Sequence, residues 1–159
     1  MKRLLTFTSA VLCCALFFIE QAGGESPKAH SMKREIIRTP DAPSNPLYSQ
    51  AVRVGPTIYV TGVAGIDVQT KKVAGPTIQD QTRQALINCE NILRAAGAKL
   101  TDVVEVQGLL ARPEDFGGFN EAYAKFFPKD PPVRSVARLG PELGEILISI
   151  RMTAVVTEE

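Results

Sequence analysis

Several residue types that mark common binding sites are scarce in this sequence. It has no tryptophan, and aromatic residues make up only 6% of its 159 residues, which disfavours platforms that stack bases or sugars. Basic and acidic residues nearly balance, with a formal net charge of +1. The sequence therefore lacks the basic excess that would indicate a nucleic-acid partner, and it lacks the acidic run that would indicate a disordered tail.

Residues that bind metals or form disulfides are also few. The only histidine is His30, and no cluster in the sequence predicts a metal site. Cys13 and Cys14 lie in an N-terminal segment that we expect to be removed, which leaves Cys89 without a partner for an internal disulfide. Cys89 falls on the apolar side of a predicted helix, so we interpret it as a core residue rather than a nucleophile.

The N-terminus has the pattern of a secretory signal peptide. Lys2 and Arg3 precede an apolar run over residues 4–19, which is shorter than the ~20 residues that a spanning helix needs. Small residues follow, up to Gly24. The pattern predicts a signal peptide over residues 1–24, cleaved near Gly24, and a periplasmic or secreted mature protein without a membrane segment. An uncleaved anchor is the alternative.

The rest of the chain is long enough for one domain with a core of its own. Residues 25–36 are rich in polar residues and are predicted to be a linker, although residues 33–37 could add a short edge strand. Residues 37–159 are predicted to form the folded domain.

Apolar periodicity within this domain predicts the order β-β-(β)-α-β-α-β-β. The first two strands form a hairpin, and residues 62–72 are a loop or a third strand. Thr77 begins the first helix and Gly97 ends it, and Pro113 opens the second. The inner stripe of the second helix is expected to be Phe116, Phe119, Tyr123, Phe126 and Phe127. Two helices on one face of a mixed sheet give an α+β fold.

Residues 131–155 are predicted to form two strands joined by a short polar bend, the second beginning near Glu145. Alternation places Arg134 and Arg138 on one face of the first strand. The planar fork of an arginine matches a carboxylate bidentately, so Arg134 is a candidate carboxylate clamp. A structural ion pair of Arg134 with Glu105 or Glu145 is the alternative.

Short motifs spread over residues 37–155 together resemble the RidA/YjgF family of reactive-intermediate (enamine/imine) deaminases. The matching segments are residues 42–52, 60–62, 81–88, 95–98, 102–104, 119–127 and 132–135. The resemblance implies a chorismate-mutase-like fold, a homotrimer with clefts between neighbouring subunits, and no metal or organic cofactor. It also implies a small imino or keto acid as the partner.

The resemblance assigns roles to individual residues. Arg134 matches the arginine that grips the substrate carboxylate. Tyr48, Gly62 and Asn120 match positions that line or support the cleft. Val136 stands where a cysteine is frequent, whose backbone carbonyl helps to hold the attacking water.

Ser149 is the main departure from the family pattern. It occupies the position at which deaminating members usually carry a glutamate that holds the water, and the resemblance implies that its face looks into the cleft near Arg134. A serine hydroxyl hydrogen-bonds water but is a poor base near neutral pH. Thr153, Val155 and Leu147 make the same face of the last strand apolar, which also favours a trimer.

The expected function is hydrolytic deamination of small 2-imino and 2-enamino acids, of the 2-aminoacrylate type, to 2-keto acids and ammonia. We expect slow turnover because a general base contributes typically 10²–10⁴-fold. The alternative is a non-catalytic protein that binds small carboxylates in the intersubunit cleft, and use of the trimer as an interaction module also stays open. No acid–base pair or basic stripe supports the ribonuclease activity described for some family members.

Overall fold

The computed structural model describes residues 32–157. Its strands and helices are β1 (Arg34–Ile37), β2 (Ala51–Val54), β3 (Thr57–Ala64), α1 (Ile78–Ala95), β4 (Val103–Leu110), α2 (Phe116–Tyr123), β5 (Val133–Arg138) and β6 (Ile148–Val155). The predicted signal peptide lies outside the described residues. No helix in residues 32–157 is long and apolar enough to cross a membrane.

The six strands form one mixed sheet in the order β1-β2-β3-β6-β4-β5. Only the β4–β5 pair is parallel. Both helices pack on one face of the sheet, which confirms the α+β fold class. The predicted linker overlaps β1, which begins at Arg34. Residues 62–72 form no separate strand, because residues 62–64 are the end of β3 and the rest is a loop.

The strands β5 and β6 follow each other in the chain but are not neighbours in the sheet, because β4 lies between them. The connecting bend is tied to the end of β4: the amide of Leu139 donates to the carbonyl of Leu110, and the amide of Ala111 donates to the carbonyl of Leu147. These bonds fix the position of β5, which carries Arg134, at one edge of the sheet.

Helix α1 has the boundaries that its capping residues predict. The Thr77 hydroxyl accepts a hydrogen bond from the Asp80 amide at 3.1 Å, and Gly97 adopts a positive φ of 77° after the last turn, as a C-terminal cap requires. Cys89 is completely buried on the core side of the helix, and burial raises the pKa of its thiol. The interpretation of Cys89 as a core residue is therefore confirmed.

Helix α2 is shorter than its aromatic spacing suggests. Phe119 and Tyr123 are buried, but Phe116 is 45% exposed, and Phe126 and Phe127 follow the helix. The prediction of one inner stripe was wrong for Phe116. The reason is the close approach of α1 at Gly118, where a Cβ atom would lie 2.5 Å from the side chain of Ile78; this approach fixes the rotation of α2.

Strand β6 begins at Ile148, three residues after the predicted start at Glu145. The buried side chain of Gln81 explains the difference. Its amide nitrogen donates to the carbonyls of Gly75 and Glu145 at 3.0 and 2.9 Å, and its oxygen accepts from the amide of Leu147 at 2.9 Å. The Gln81 side chain therefore makes the hydrogen bonds to the backbone of Glu145 and Leu147 that a neighbouring strand would otherwise make. Leu147 packs against the core rather than on the second face of β6.

Candidate functional site

Arg134 lies on the face of β5 that the helices cover. In the register of the β4–β5 pair, Arg134 is opposite Val106 and Arg138 is opposite Leu110, and both partners are buried in the core. Residues opposite each other in a sheet project to the same side. Arg134, Val136 and Arg138 therefore share the helix-covered face, as the alternation predicts for the two arginines.

The guanidinium of Arg134 rests on aromatic rings. Its central carbon lies 4.7 Å from the ring centroid of Tyr123, 5.3 Å from that of Phe119 and 6.0 Å from that of Phe116. Cations are attracted to the faces of such rings, so α2 orients the arginine without occupying its hydrogen-bond donors. We call these three rings the aromatic platform.

Within residues 32–157, Arg134 has no carboxylate within 4.0 Å. Arg134 therefore does not form the alternative structural ion pair with Glu105 or Glu145. Glu105 instead accepts a hydrogen bond from the Thr153 hydroxyl at 3.2 Å. Arg134 is exposed, so its N–H groups face solvent at the edge of the sheet and can receive a carboxylate.

Two buried polar atoms on α2 accompany this arginine. The side-chain oxygen of Asn120 and the hydroxyl of Tyr123 have no hydrogen-bond partner among the described residues. Burial raises the pKa of Tyr123, and the positive charge of Arg134 partly opposes that rise. Buried polar atoms without partners are uncommon in folded proteins, and here Asn120 and Tyr123 lie about one turn apart on α2, the helix whose Tyr123 ring contacts Arg134.

Gly62 and Ser149 form a second group on neighbouring strands. Ser149 pairs with Ala64 of β3 and with Leu109 of β4, and Gly62 lies in an irregularity of β3 between Val60 and Val63. A Cβ atom on Gly62 would lie 2.8 Å from the Ser149 hydroxyl oxygen. A side chain at position 62 would therefore press against that hydroxyl.

Arg134 and Ser149 lie on opposite faces of the sheet. Ile148 and Ile150 are buried beneath the helices, so Ser149, between them, projects to the uncovered face. It is also two strands away from Arg134, about 10 Å across the sheet. The implied placement of Ser149 near Arg134 is therefore not found within one chain.

Tyr48 is separated from the Arg134 group. It is 48% exposed in the segment before β2, and β2 is four strands away from β5, about 19 Å across the sheet. Asn120 and Val136 lie on the helix-covered side with Arg134, and Gly62 lies with Ser149. One chain thus carries two incomplete groups, and a cleft that contains both requires a second copy.

Our sequence analysis missed the aromatic platform, because aromatic residues at helical spacing are typical of core stripes. Phe119 and Tyr123 are indeed buried, yet they also support Arg134 from below. The only sequence signal was an aromatic pair one turn apart, followed by a strand with an arginine. In residues 32–157, no group of three His, Cys, Asp or Glu residues could hold a metal ion.

Known proteins resemble this chain in sequence. The family model described as endoribonuclease L-PSP matches residues 39–156. Reactive Intermediate Deaminase A of Arabidopsis thaliana, a chloroplastic protein, is 40% identical over 112 residues, which are 69% of this chain and 59% of that protein. The 2-iminobutanoate/2-iminopropanoate deaminase of Rattus norvegicus is 41% identical over 106 residues, which are 66% of this chain and 77% of that protein.

Solved structures share the fold over the same region. The crystal structure of RidA from the Antarctic bacterium Psychrobacter superposes with a TM-score of 0.72 at 29% identity. That match covers 77% of this chain and 99% of the bacterial chain.

Proposed function

Because the chain belongs to the endoribonuclease L-PSP family, also named RidA/YjgF, we propose that it hydrolyses small 2-imino and 2-enamino acids to 2-keto acids and ammonia. Relatives about 40% identical are named reactive-intermediate and 2-iminobutanoate/2-iminopropanoate deaminases. Proteins of this family act on small molecules and are typically homo-oligomers.

The observation that carries this proposal is the exposure of Arg134 and its contact with the aromatic platform. An exposed arginine, which has no carboxylate partner among the described residues, rests on the aromatic platform of a helix that carries two buried polar atoms without partners there. Its fork can bind a carboxylate with two parallel hydrogen bonds. All 2-imino acids carry that carboxylate next to the reactive carbon, so binding it also positions the carbon.

The site is completed across two copies in a homotrimer. Arg134 of one copy binds the carboxylate, and the Gly62–Ser149 group of its neighbour holds a water. The water oxygen bonds to the electrophilic imine carbon, the electron pair of the carbon–nitrogen π bond moves to nitrogen, and one water proton follows it there to give a carbinolamine. The hydroxyl proton of the carbinolamine then passes to nitrogen as the carbon–nitrogen bond breaks, which releases ammonia and leaves the keto acid. Positioning is the larger part of such catalysis, and the chain needs no cofactor for it.

The reaction is slow because Ser149 stands where a carboxylate base is usual. The hydroxyl can orient the water by a hydrogen bond but takes up its proton poorly at pH 7. The absence of a Cβ atom on Gly62 keeps that side of the hydroxyl free of a side chain.

The test is direct hydrolysis of imines generated in situ. The domain is incubated with an amino-acid oxidase and its amino acid, and the imine that survives is trapped with semicarbazide. We expect the protein to lower the trapped imine in proportion to its concentration, and the Arg134→Ala variant to have no effect. Trapped imine that is unchanged at every protein concentration would exclude the deaminase function.

The alternative is a binding protein for small carboxylates, which the absence of a base at Ser149 favours. It would bind 2-keto acids through Arg134 without hydrolysing imines. Calorimetric titration with 2-oxobutanoate separates the two functions, since a binder retains affinity for the keto acid while the trapping assay shows no turnover.

We also propose that the mature protein begins near Glu25 and lies outside the cytoplasm. The basic start and short apolar run of residues 1–24 support this. N-terminal sequencing of protein from the native cell tests it, and a full-length chain in the cytosolic fraction would contradict it.

A further inference from the structure

A groove lies next to Arg134 on the same face of β5. It has a volume of about 290 Å³ and is open to solvent. Its walls are mostly apolar, with one charged side chain, and the lining residues are Leu110, Pro113, Phe116, Val136, Ala137 and Arg138. We call it the distal groove.

The distal groove is continuous with the aromatic platform. Phe116 lines the groove, and its ring also lies 6.0 Å from the guanidinium carbon of Arg134. Val136 lies between the two arginines on the same face of β5 and forms part of the groove wall. A ligand whose carboxylate is bound by Arg134 would therefore extend its side chain along Val136 into the groove.

Arg138 is the charged residue at the far end of this path. It has no carboxylate within 4.0 Å among residues 32–157. Asp115, which precedes Phe116, does not neutralise it, because both its oxygens are engaged by Arg112 at 2.8 and 3.0 Å. Arg138 is exposed, so its donors are available to an anion in the groove.

We propose that the distal groove is the side-chain subsite and that Arg138 binds a second carboxylate, so that dicarboxylic 2-imino acids such as 2-iminoglutarate are preferred substrates. This inference rests on the proposed function of the Arg134 site. The Cα atoms of Arg134 and Arg138 are separated by four residues of strand, about 13 Å. Phe116 is common to both ends of this path, since it lines the groove with Arg138 and lies 6.0 Å from the Arg134 guanidinium carbon, so a short dicarboxylate along the groove would reach both arginines.

The apolar walls of the groove and the charge at its end match the chemistry of a dicarboxylate. The methylene groups between the two carboxylates would contact Val136 and Phe116, and the terminal carboxylate would receive charge-assisted hydrogen bonds from Arg138. A monocarboxylate of the same length would place an uncharged end beside Arg138. Specificity therefore depends on a charge at the end of the side chain, rather than on its length.

The experiment compares imines generated from glutamate and from glutamine, which have the same length but differ in terminal charge. Wild-type protein is measured beside Arg138→Gln and beside Arg38→Gln, an exposed arginine outside the groove. We expect Arg138→Gln to lower kcat/KM for the glutamate-derived imine at least tenfold more than kcat/KM for the glutamine-derived imine. Arg38→Gln should change neither.

A second measurement separates this inference from the proposed function. The affinities for 2-oxoglutarate and 2-oxobutanoate are measured by calorimetry on the same proteins. If wild type hydrolyses both imines equally and Arg138→Gln changes nothing, the inference fails while the deaminase function stands. If no imine is hydrolysed but Arg138→Gln selectively weakens 2-oxoglutarate binding, the distal subsite stands without the catalysis. If 2-oxoglutarate binds no better than 2-oxobutanoate in a protein that hydrolyses neither imine, both fail.

Discussion

Arg134 and Ser149 project from opposite faces of one sheet, about two strand spacings apart. A cleft that needs both must therefore combine the helix-covered face of one subunit with the uncovered face of another. We expect oligomers made only of the Arg134→Ala variant, or only of the Gly62→Val variant, to be unable to hydrolyse imines. Subunits of the two variants mixed by co-expression should recover a fraction of the wild-type turnover, because some clefts then contain two intact halves.

Sedimentation of each variant serves as the control for this complementation, since both must still assemble as trimers. A stable monomer at micromolar concentration would remove the shared cleft altogether. Mixed trimers that remain inactive would show that the two groups do not act in one site.

The second prediction concerns the fork of Arg134. Arg134→Lys keeps the charge but loses the two parallel donors and the planar contact with the Tyr123 ring. Hydrogen bonds to charged groups contribute about 1.5–3 kcal/mol each, so the affinity for 2-oxobutanoate should fall at least tenfold by calorimetry. Unchanged affinity would mean that the arginine supplies only general positive charge.

The third prediction separates enzyme from binder at Ser149. Ser149→Glu places a carboxylate where the proposed water is held, so it should raise imine turnover by more than tenfold, within the range of a general base. Ser149→Gln is the matched control, because it has the same size and cannot take a proton. Equal rates for the two variants would show that the gain comes from packing and not from a base.

The fourth prediction follows from the buried thiol of Cys89. Burial raises its folded pKa, whereas an unfolded cysteine titrates near about 8.5. Stability from the protonated thiol is complete below that pH and is lost above it, because only the unfolded state then releases the proton. The free energy of unfolding should fall by up to about 1.4 kcal/mol per pH unit between about pH 8.5 and 9.5.

Urea denaturation across this pH range measures that slope, and Cys89→Ala should reduce it even though the variant is less stable at every pH. An identical slope in Cys89→Ala would assign the alkaline loss to other groups.

The fifth prediction concerns the bend between β5 and β6. Gln81→Leu removes the partners of three backbone groups, the carbonyls of Gly75 and Glu145 and the amide of Leu147. Each buried polar group left unsatisfied costs about 1–3 kcal/mol, so chemical denaturation should show a loss of at least ~2 kcal/mol. Gln79→Leu on the same helix, which loses only a surface hydrogen bond to Glu121, should change stability by at most about 0.5 kcal/mol.

Elements with local signals were predictable from the sequence. The capping residues and apolar spacing of α1 are all contained within the helix and its flanks, so its boundaries at Thr77 and Gly97 could be predicted. The hairpin at Gly55 and the alternation of β6 are local in the same sense. The sheet order was not predictable, because nothing in β5 or β6 encodes that β4 lies between them.

The candidate site was only partly predictable for the same reason. Alternation placed Arg134 and Arg138 on one face, but which face α2 covers depends on tertiary packing at Gly118 and at Gly108, where a Cβ atom would lie 2.9 Å from the ring of Phe119. The separation of Arg134 from Ser149 therefore appears only in the folded chain. The lack of a carboxylate beside Arg134 likewise depends on where Glu105 lies after β4 has paired with β6.

The position of β6 has a consequence for synthesis of the protein. Of the six described strands, β6 is the last to leave the ribosome, yet it lies between β3 and β4, and its residues Ile148, Ile150 and Met152 are in the core. Until it emerges, β3 and β4 lack their common neighbour and expose unpaired edges that are prone to aggregation. The domain therefore completes its sheet only after β6 has been synthesised, through contacts between distant segments that form slowly, and a chain that stops before β6 would lack the strand that joins β3 to β4.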